Sequence, residues 1–303
     1  MKEEQRHAGD KLKRRLMQRK TGWFILLMLV PSIYGMFRYI WINANSLLLA
    51  FSNLEPVTSG FTLKWFRMLF DEMSRTDTQI FQAMLNTFKC FGIGCLKLVL
   101  SYVIAYFLYK QLLLHKAFRF VFFLPSIVAP VINVFIFSEI IAPLGPIDMI
   151  LGMKESYPSL IANPDTVMGT ILLYDLLAGF GTNFLIILGA MNRIPPEYLE
   201  AAAIDGCKPW REFWMLVTPL VWENFSTLVI LQLTSIFTAS GPILYFTGGN
   251  GDPYTLSFWI FDQVRGDIYN YPSAVGIFFT LIGIPIVFFI RWAVNKINPE
   301  VSY

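Results

Sequence analysis

Charge is scarce in this chain. Only 15% of its 303 residues are Asp, Glu, Lys or Arg, where soluble domains carry roughly 25%. Histidine is scarcer still. His7 and His115 are the only two, too few and too scattered for a metal site, so no metal ligands are assigned. Three cysteines, Cys90, Cys95 and Cys207, form no even, loop-borne framework, and no disulfide is expected. No GxxxxGK[ST] run occurs, so the chain has no recognisable means of binding ATP itself. The glycines of "TGGNGDPY" (247–254) lie between two apolar runs, not between a strand and a helix, and are not read as a phosphate loop. No Ser/His/Asp or Cys/His set stands out, and no catalytic residue is assigned. A formal net charge of +3 gives no reason to expect nucleic acid. Internal repeats and low-complexity tracts are absent as well.

What the chain has is apolar sequence, 55% of its residues. A spanning helix needs about 20 mostly apolar residues. Six stretches qualify, roughly 23–49, 86–109, 118–142, 166–190, 218–240 and 273–292. The expected fold is therefore all-α integral membrane, with a basic tail over 1–22 and one transmembrane domain over 23–303. Trp23 and Trp41 lie at a spacing of roughly 27 Å along a helix, which suits an aromatic belt. Pro31 and Arg38 interrupt this first segment, whose outer half is expected to kink or project. The basic start and apolar run also resemble a signal peptide. Arg38 breaks the apolar core and no small-x-small site follows, so a retained helix is expected.

Orientation follows from Lys and Arg. A cytoplasmic N-terminus places there the basic residues of 1–22 together with Lys110, Lys116, Arg119, Arg193, Lys208, Arg211, Arg291 and Lys296. The outer loops then receive Lys64, Arg67, Arg75, Lys154 and Arg265. The positive-inside rule thus predicts both termini and the 191–217 loop in the cytoplasm, with the tail touching anionic membrane lipid. "FTLKWFRMLFDEM" (61–73) separates charged and apolar faces and predicts a short helix on the outer membrane surface. Pro125, Pro130 and Pro285 are expected to bend their helices.

The loop "EYLEAAAIDGCKPWREFWMLVTPL" (197–220) is unusual between apolar runs. Pro195 and Pro196 suit a helix start. Glu197 and Glu200 favour the positive end of that helix. Asp205-Gly206 offers a stop in which Gly206 takes the left-handed conformation. Pro209 opens a second short helix through about Val217, and Pro219 marks entry to the next span. The loop is read as a projecting helix–turn–helix whose alanines 201–203 allow close approach to a groove. On physical grounds alone, a plain amphipathic connector fits equally well.

"EAAAIDG" with Pro219 thirteen residues beyond the glycine resembles the EAA motif of ABC-importer permeases. "NTF" (86–88), "FRFVFFLPSIVAPV" (118–131), "NRIPPEYLEAAAIDG" (192–206) and "TGG" (247–249) look like the carbohydrate-importer branch, which includes maltose and glycerol-phosphate permeases. Leu216, Thr218 and Cys207 depart from the family pattern. The resemblance implies that Glu200, Ala201, Ala202, Asp205 and Gly206 form a coupling helix docking into a separate ATPase, which holds the ATP and Mg. It implies the first-type subunit of a permease pair, two ATPase copies, an extracytoplasmic solute-binding protein and a bacterial cytoplasmic (inner) membrane. No cofactor is expected on this chain, which is read as non-catalytic. A permease for another solute, such as glycerol phosphate, or a secondary transporter, is the alternative.

A crossing solute meets polar groups inside spans. Asp175, Gly179 and Thr182 share one face of the fourth span, and Gln232, Ser235 and Ala239 one face of the fifth. Their position relative to the EAA segment is similar to that of substrate-contacting positions in the maltose permease. Tyr174 and Asn133 are further path candidates. Such residues also commonly bond only to neighbouring helices. Lys97 shares a face with Gly94 and Ser101. An unpaired lysine costs roughly 2.5–3.5 kcal/mol at a span centre. It is expected either to pair with Asp175 or Glu139 or to meet an anionic sugar or phosphate. Lys89, nearer the outer edge, is expected to snorkel.

Overall fold

The computed structural model describes residues 2–52, 60–111, 114–151, 159–248 and 253–297, and among them the regular structure is helical. Lys154 and the glycines at 249 and 251 lie outside the described residues. In chain order the helices are α1 (Lys2–Ala50), α2 (Lys64–Met73), α3 (Gln79–Tyr109), α4 (His115–Ile127), α5 (Pro130–Ile140), α6 (Pro146–Leu151) and α7 (Pro164–Ala178). They continue with α8 (Gly181–Met191), α9 (Pro196–Ile204), α10 (Pro209–Glu212), a π-helical turn (Phe213–Val217), α11 (Thr218–Thr234), α12 (Ile243–Thr247), α13 (Leu256–Arg265) and α14 (Asn270–Ile297). The chain divides into two compact units, residues 1–65 with 269–274, and residues 66–268 with 275–303.

In the first unit, α1 continues through Pro31, and residues 2–22 are part of it. Phe24, Phe37 and Trp41 are among the many large apolar side chains that α1 leaves exposed. Exposed apolar side chains along 24–42 suit lipid. Its end is tied down. Asn270 Nδ2 donates to the carbonyls of Leu49 and Ser52, both at 3.0 Å. Trp65 Nε1 donates to the Ser52 carbonyl at 2.9 Å.

In the second unit, four helical stretches among the described residues are long and apolar enough to cross a bilayer by themselves. They are Gln79–Tyr109, Pro164–Met191, Pro209–Thr234 and Asn270–Val294, the last beginning in the first unit. The α4–α5 pair makes a fifth if counted as one span, but it bends by 110°. The 118–142 span is thus broken into two helices at 128–129, next to Pro130. Pro130 supplies no N–H and holds the preceding Ala129 extended, at φ −56° and ψ 134°. The bend leaves carbonyls without helical partners. Asn133 Nδ2 takes two of them, donating to Pro125 O at 2.7 Å and Val128 O at 3.2 Å.

Two further boundaries differ from expectation. The 218–240 span ends at Thr234, beyond which the chain turns. At its other end it starts early, because α10 continues through the π-helical turn into α11. The second helix of the expected helix–turn–helix is thus the first part of the next span. Pro219 explains the wide turn, since an α-helical proline clashes with the carbonyl four residues back. Phe213 O instead accepts the Thr218 backbone N–H five residues on. It also accepts the Thr218 hydroxyl at 2.8 Å.

The core of this unit gathers α3, α8 and the stretch from Phe213 to Leu228. Leu98, Tyr102 and Ala105 of α3 pack with Phe184, Ile187 and Met191 of α8 and with Val217 and Val221. Fully buried Ala105 is small enough to admit close helix contact. A second cluster unites Cys90, Val167, Met168, Ile171, Ile243 and Phe258. Between the two, α3 passes as one 31-residue rod.

Candidate functional site

The 197–220 loop folds as its residues dictate. Pro195 is the N-cap of α9 and Pro196 its first residue. Gly206 takes φ +68°, in the left-handed region. Cys207 N–H reaches Ala202 O at 2.9 Å and Gly206 N–H reaches Ala203 O at 3.1 Å. This pair of bonds is a Schellman cap, which satisfies carbonyls the helix end would otherwise leave open. Glu200, Ala201, Asp205 and Gly206 are differently placed from Ala202, which is the less exposed. Ile204 stands 86% exposed and Trp210 72%. The five motif residues therefore sit together on one short helix and its cap, bordered by bare apolar side chains.

Behind this loop lies a cluster that sequence reasoning did not single out. Glu212 of α10 is buried, at 6% exposure. Lys110 Nζ, at the C-cap of α3, donates to both of its carboxylate oxygens, at 2.8 and 2.9 Å. Tyr106 Oη lies 2.9 Å from Pro209 O and 3.4 Å from Glu212 Oε1. The partners are 102 residues apart in sequence, and Lys110 had a sufficient meaning as a topology charge. The available signal was one carboxylate set among aromatics in "PWREFW" (209–214).

Higher on α3 is the intramembrane polar cluster. Lys97 Nζ donates to Asp175 Oδ1 at 2.9 Å and Oδ2 at 2.8 Å. Asp175, not Glu139, is thus the carboxylate that meets it. The two side chains are only 16% and 18% exposed. Gly179 makes the room, because a Cβ there would lie 2.6 Å from Lys97 Cδ and 2.7 Å from Nζ. One turn along α3, Gly94 faces Gln232 so closely that a Cβ would collide with the side-chain amide. Ser235 Oγ donates to Gln232 O at 2.6 Å and accepts from Gln232 Nε2 at 3.4 Å. Groups from α3, α7 and the end of α11 therefore converge on one stretch of α3.

Residues 97–303 match the family described as binding-protein-dependent transport system inner membrane component. The chain belongs to that permease family. It is 24% identical over 279 residues to the multiple sugar-binding transport system permease protein MsmF of Streptococcus mutans, covering 89% of this chain and 94% of MsmF. It is 26% identical over 231 residues to the sn-glycerol-3-phosphate transport system permease protein UgpA of Pectobacterium atrosepticum, covering 74% and 77% of the two. A crystal structure of a bacterial ABC transporter that imports the acidic polysaccharide alginate shares the fold, with TM-score 0.71 and 20% identity, covering 94% of this chain and 99% of that one. The chain is a multi-pass permease subunit of an ABC importer.

Within the permease, the residues predicted for the path separate into two groups. Lys97 meets Asp175, and Gln232 with Ser235 lies one turn along α3, at Gly94. The other three do not join them. Asn133 is occupied with the carbonyls of the α4–α5 break. Tyr174 is buried against Phe137, at 5.1 Å between ring centroids, and Phe246, at 5.2 Å. Thr182 is exposed on α8, past the interruption at Gly179 and Phe180.

Proposed function

We propose that this permease forms half of a translocation path for an uncharged sugar or oligosaccharide, with Lys97, Asp175, Gln232 and Ser235 lining it. The observation that carries the reading is the Lys97–Asp175 pair. The cation of this cluster is neutralised by a carboxylate at hydrogen-bond distance. What it then offers a solute is amide, hydroxyl and a balanced ion pair, groups that suit hydroxyl-rich solutes. An anion would need that pair opened first. The exposed α9 helix supports a dock for a separate ATPase, which binds and hydrolyses the ATP. In this reading α1 supplies a sixth span and both termini are cytoplasmic in a bacterial inner membrane. A second permease subunit, two ATPase copies and an extracytoplasmic binding protein complete the importer. ATPase closure pushes on α9, the spans turn outward-facing, the solute enters, and reopening releases it inside.

The names of UgpA and the alginate importer favour a second reading, an anionic solute held by Lys97. Reconstituted importer, co-expressed from the neighbouring genes, decides between them. Neutral oligosaccharides are expected to compete for ATP-driven uptake, with glycerol phosphate and uronates ineffective. Uptake restricted to anions would overturn the neutral reading.

A further inference from the structure

The segment that follows the docking loop is fastened to α3 at three successive turns. Tyr102, Tyr106 and Lys110 recur at every fourth position and so share one face of α3. Lys110 holds Glu212 through both carboxylate oxygens. Tyr106 reaches Pro209 O, and its ring lies 4.7 Å from that of Phe213. Tyr102 donates to Thr218 Oγ1 at 2.8 Å, and its ring lies 5.1 Å from that of Phe213. Trp210 and Trp214 also lie against Phe213, at 6.1 and 5.0 Å. The attachment therefore spans the whole stretch from α10 through the π-helical turn to the start of α11.

This geometry has a mechanical consequence. A loop joined to a span by a flexible hinge would absorb displacement. Here the point just past Gly206 is clamped to α3 by a buried carboxylate, a lysine and a tyrosine. From Lys110 to Lys97 the helix rises roughly 20 Å. The intervening rod lets the upper cluster follow the lower clamp. Resting on the reading of α9 as the ATPase dock, we infer that the Glu212–Lys110–Tyr106 clamp transmits loop displacement to α3 and so to the Lys97–Asp175 cluster. Glu212 is then a positioning residue for coupling and touches neither solute nor nucleotide.

The experiment uses the whole importer in liposomes, comparing wild type with Glu212→Gln, with the double variant Glu212→Gln/Lys110→Met, and with the exchange Glu212→Lys/Lys110→Glu. The double variant strands no buried charge and is expected to fold where the single one suffers. Tyr106→Phe, which loses one hydroxyl, is the mildest probe. Three quantities are read: co-purifying ATPase, ATP hydrolysis, and solute carried per ATP. The expected result is retained ATPase and hydrolysis, with solute per ATP reduced at least about fivefold in the first two variants, the lower end of usual coupling strengths. The exchange is expected to recover part of that loss, and Tyr106→Phe to lose less than the double variant. A double variant or Tyr106→Phe protein that carries solute at the wild-type ratio overturns this inference alone. Wild-type importer that purifies without any ATPase overturns the docking reading, and this inference with it.

Discussion

Two lysine–carboxylate pairs sit on one helix, α3, and they are built differently. Lys97–Asp175 joins α3 to α7 inside the apolar span. Among the described residues, each of these two charged groups has only the other as its hydrogen-bond partner. Lys97 lies against Gly179 and fills the place a Cβ would take. Lys110–Glu212 joins α3 to α10 at the helix end, with Tyr106 against the carboxylate and four aromatic rings around Phe213. The chemistry of the pairs is the same and their surroundings set their roles. A pair held only by its own attraction is able to adjust around a solute. A pair whose carboxylate is buried and backed by a tyrosine keeps its geometry and carries force. One end of α3 is thus suited to respond, the other to transmit.

The largest effect should come from removing one partner of the upper pair. Asp175→Ala leaves Lys97 uncompensated among apolar helices, an error that costs about 3 kcal/mol or more in a buried pair. Melting of the purified importer in detergent is expected to show the loss. The double change Asp175→Leu/Lys97→Met should recover most of the stability without recovering transport. Recovered transport would show that the pair is structural only, and would remove the contrast between the two ends.

Next comes the close seat of Lys97 at Gly179. Gly179→Ala places a Cβ 2.5 Å from Asp175 O and 2.6 Å from Lys97 Cδ, so Lys97 must shift. Overpacking of this kind costs about 1–3 kcal/mol. The expected signature is slower uptake with unchanged ATPase association, read by transport and co-purification assays. A variant with normal uptake would mean that transport does not depend on this close seat of Lys97.

The smallest effect belongs to the loop turn. Gly206 holds φ +68°, and a Cβ added there would meet nothing within 4 Å, so Gly206→Ala brings strain but no clash. That strain is roughly 1–2 kcal/mol. A slight loss of thermal stability with nearly full ATPase binding is expected. Complete loss of binding would place a backbone-to-partner contact at this glycine.

Much of this was legible from residues in order. Lys97 in an apolar run called for a carboxylate or an anionic solute, and Asp175 and Glu139 were the carboxylates named for it. The bounds of α9 followed from Pro195, Pro196 and Gly206, because caps and turns are local chemistry. What stayed hidden was long-range. Lys110 and Glu212 each had an adequate local meaning, and only folding brings them together. The α4–α5 bend was signalled by Pro130, but its size, and Asn133 reaching back to the freed carbonyls, were not. That same hydrogen bonding made Asn133 look like a path residue, since a polar group in a span reads alike whether it faces a solute or a broken helix. The π-helical turn was hidden for a related reason. Pro219 marked a boundary in sequence, whereas a widened turn lets the helix continue through it.

The most direct measurement is the composition of the purified complex. The permease, tagged and co-expressed with its genomic neighbours, is extracted in mild detergent beside a Gly206→Asp variant that adds charge and bulk at the exposed cap. An ATPase is expected to accompany the wild type and to be lost from the variant, while the second permease subunit stays with both. A wild-type chain that purifies without ATPase, and moves solute in liposomes without ATP, would contradict that expectation.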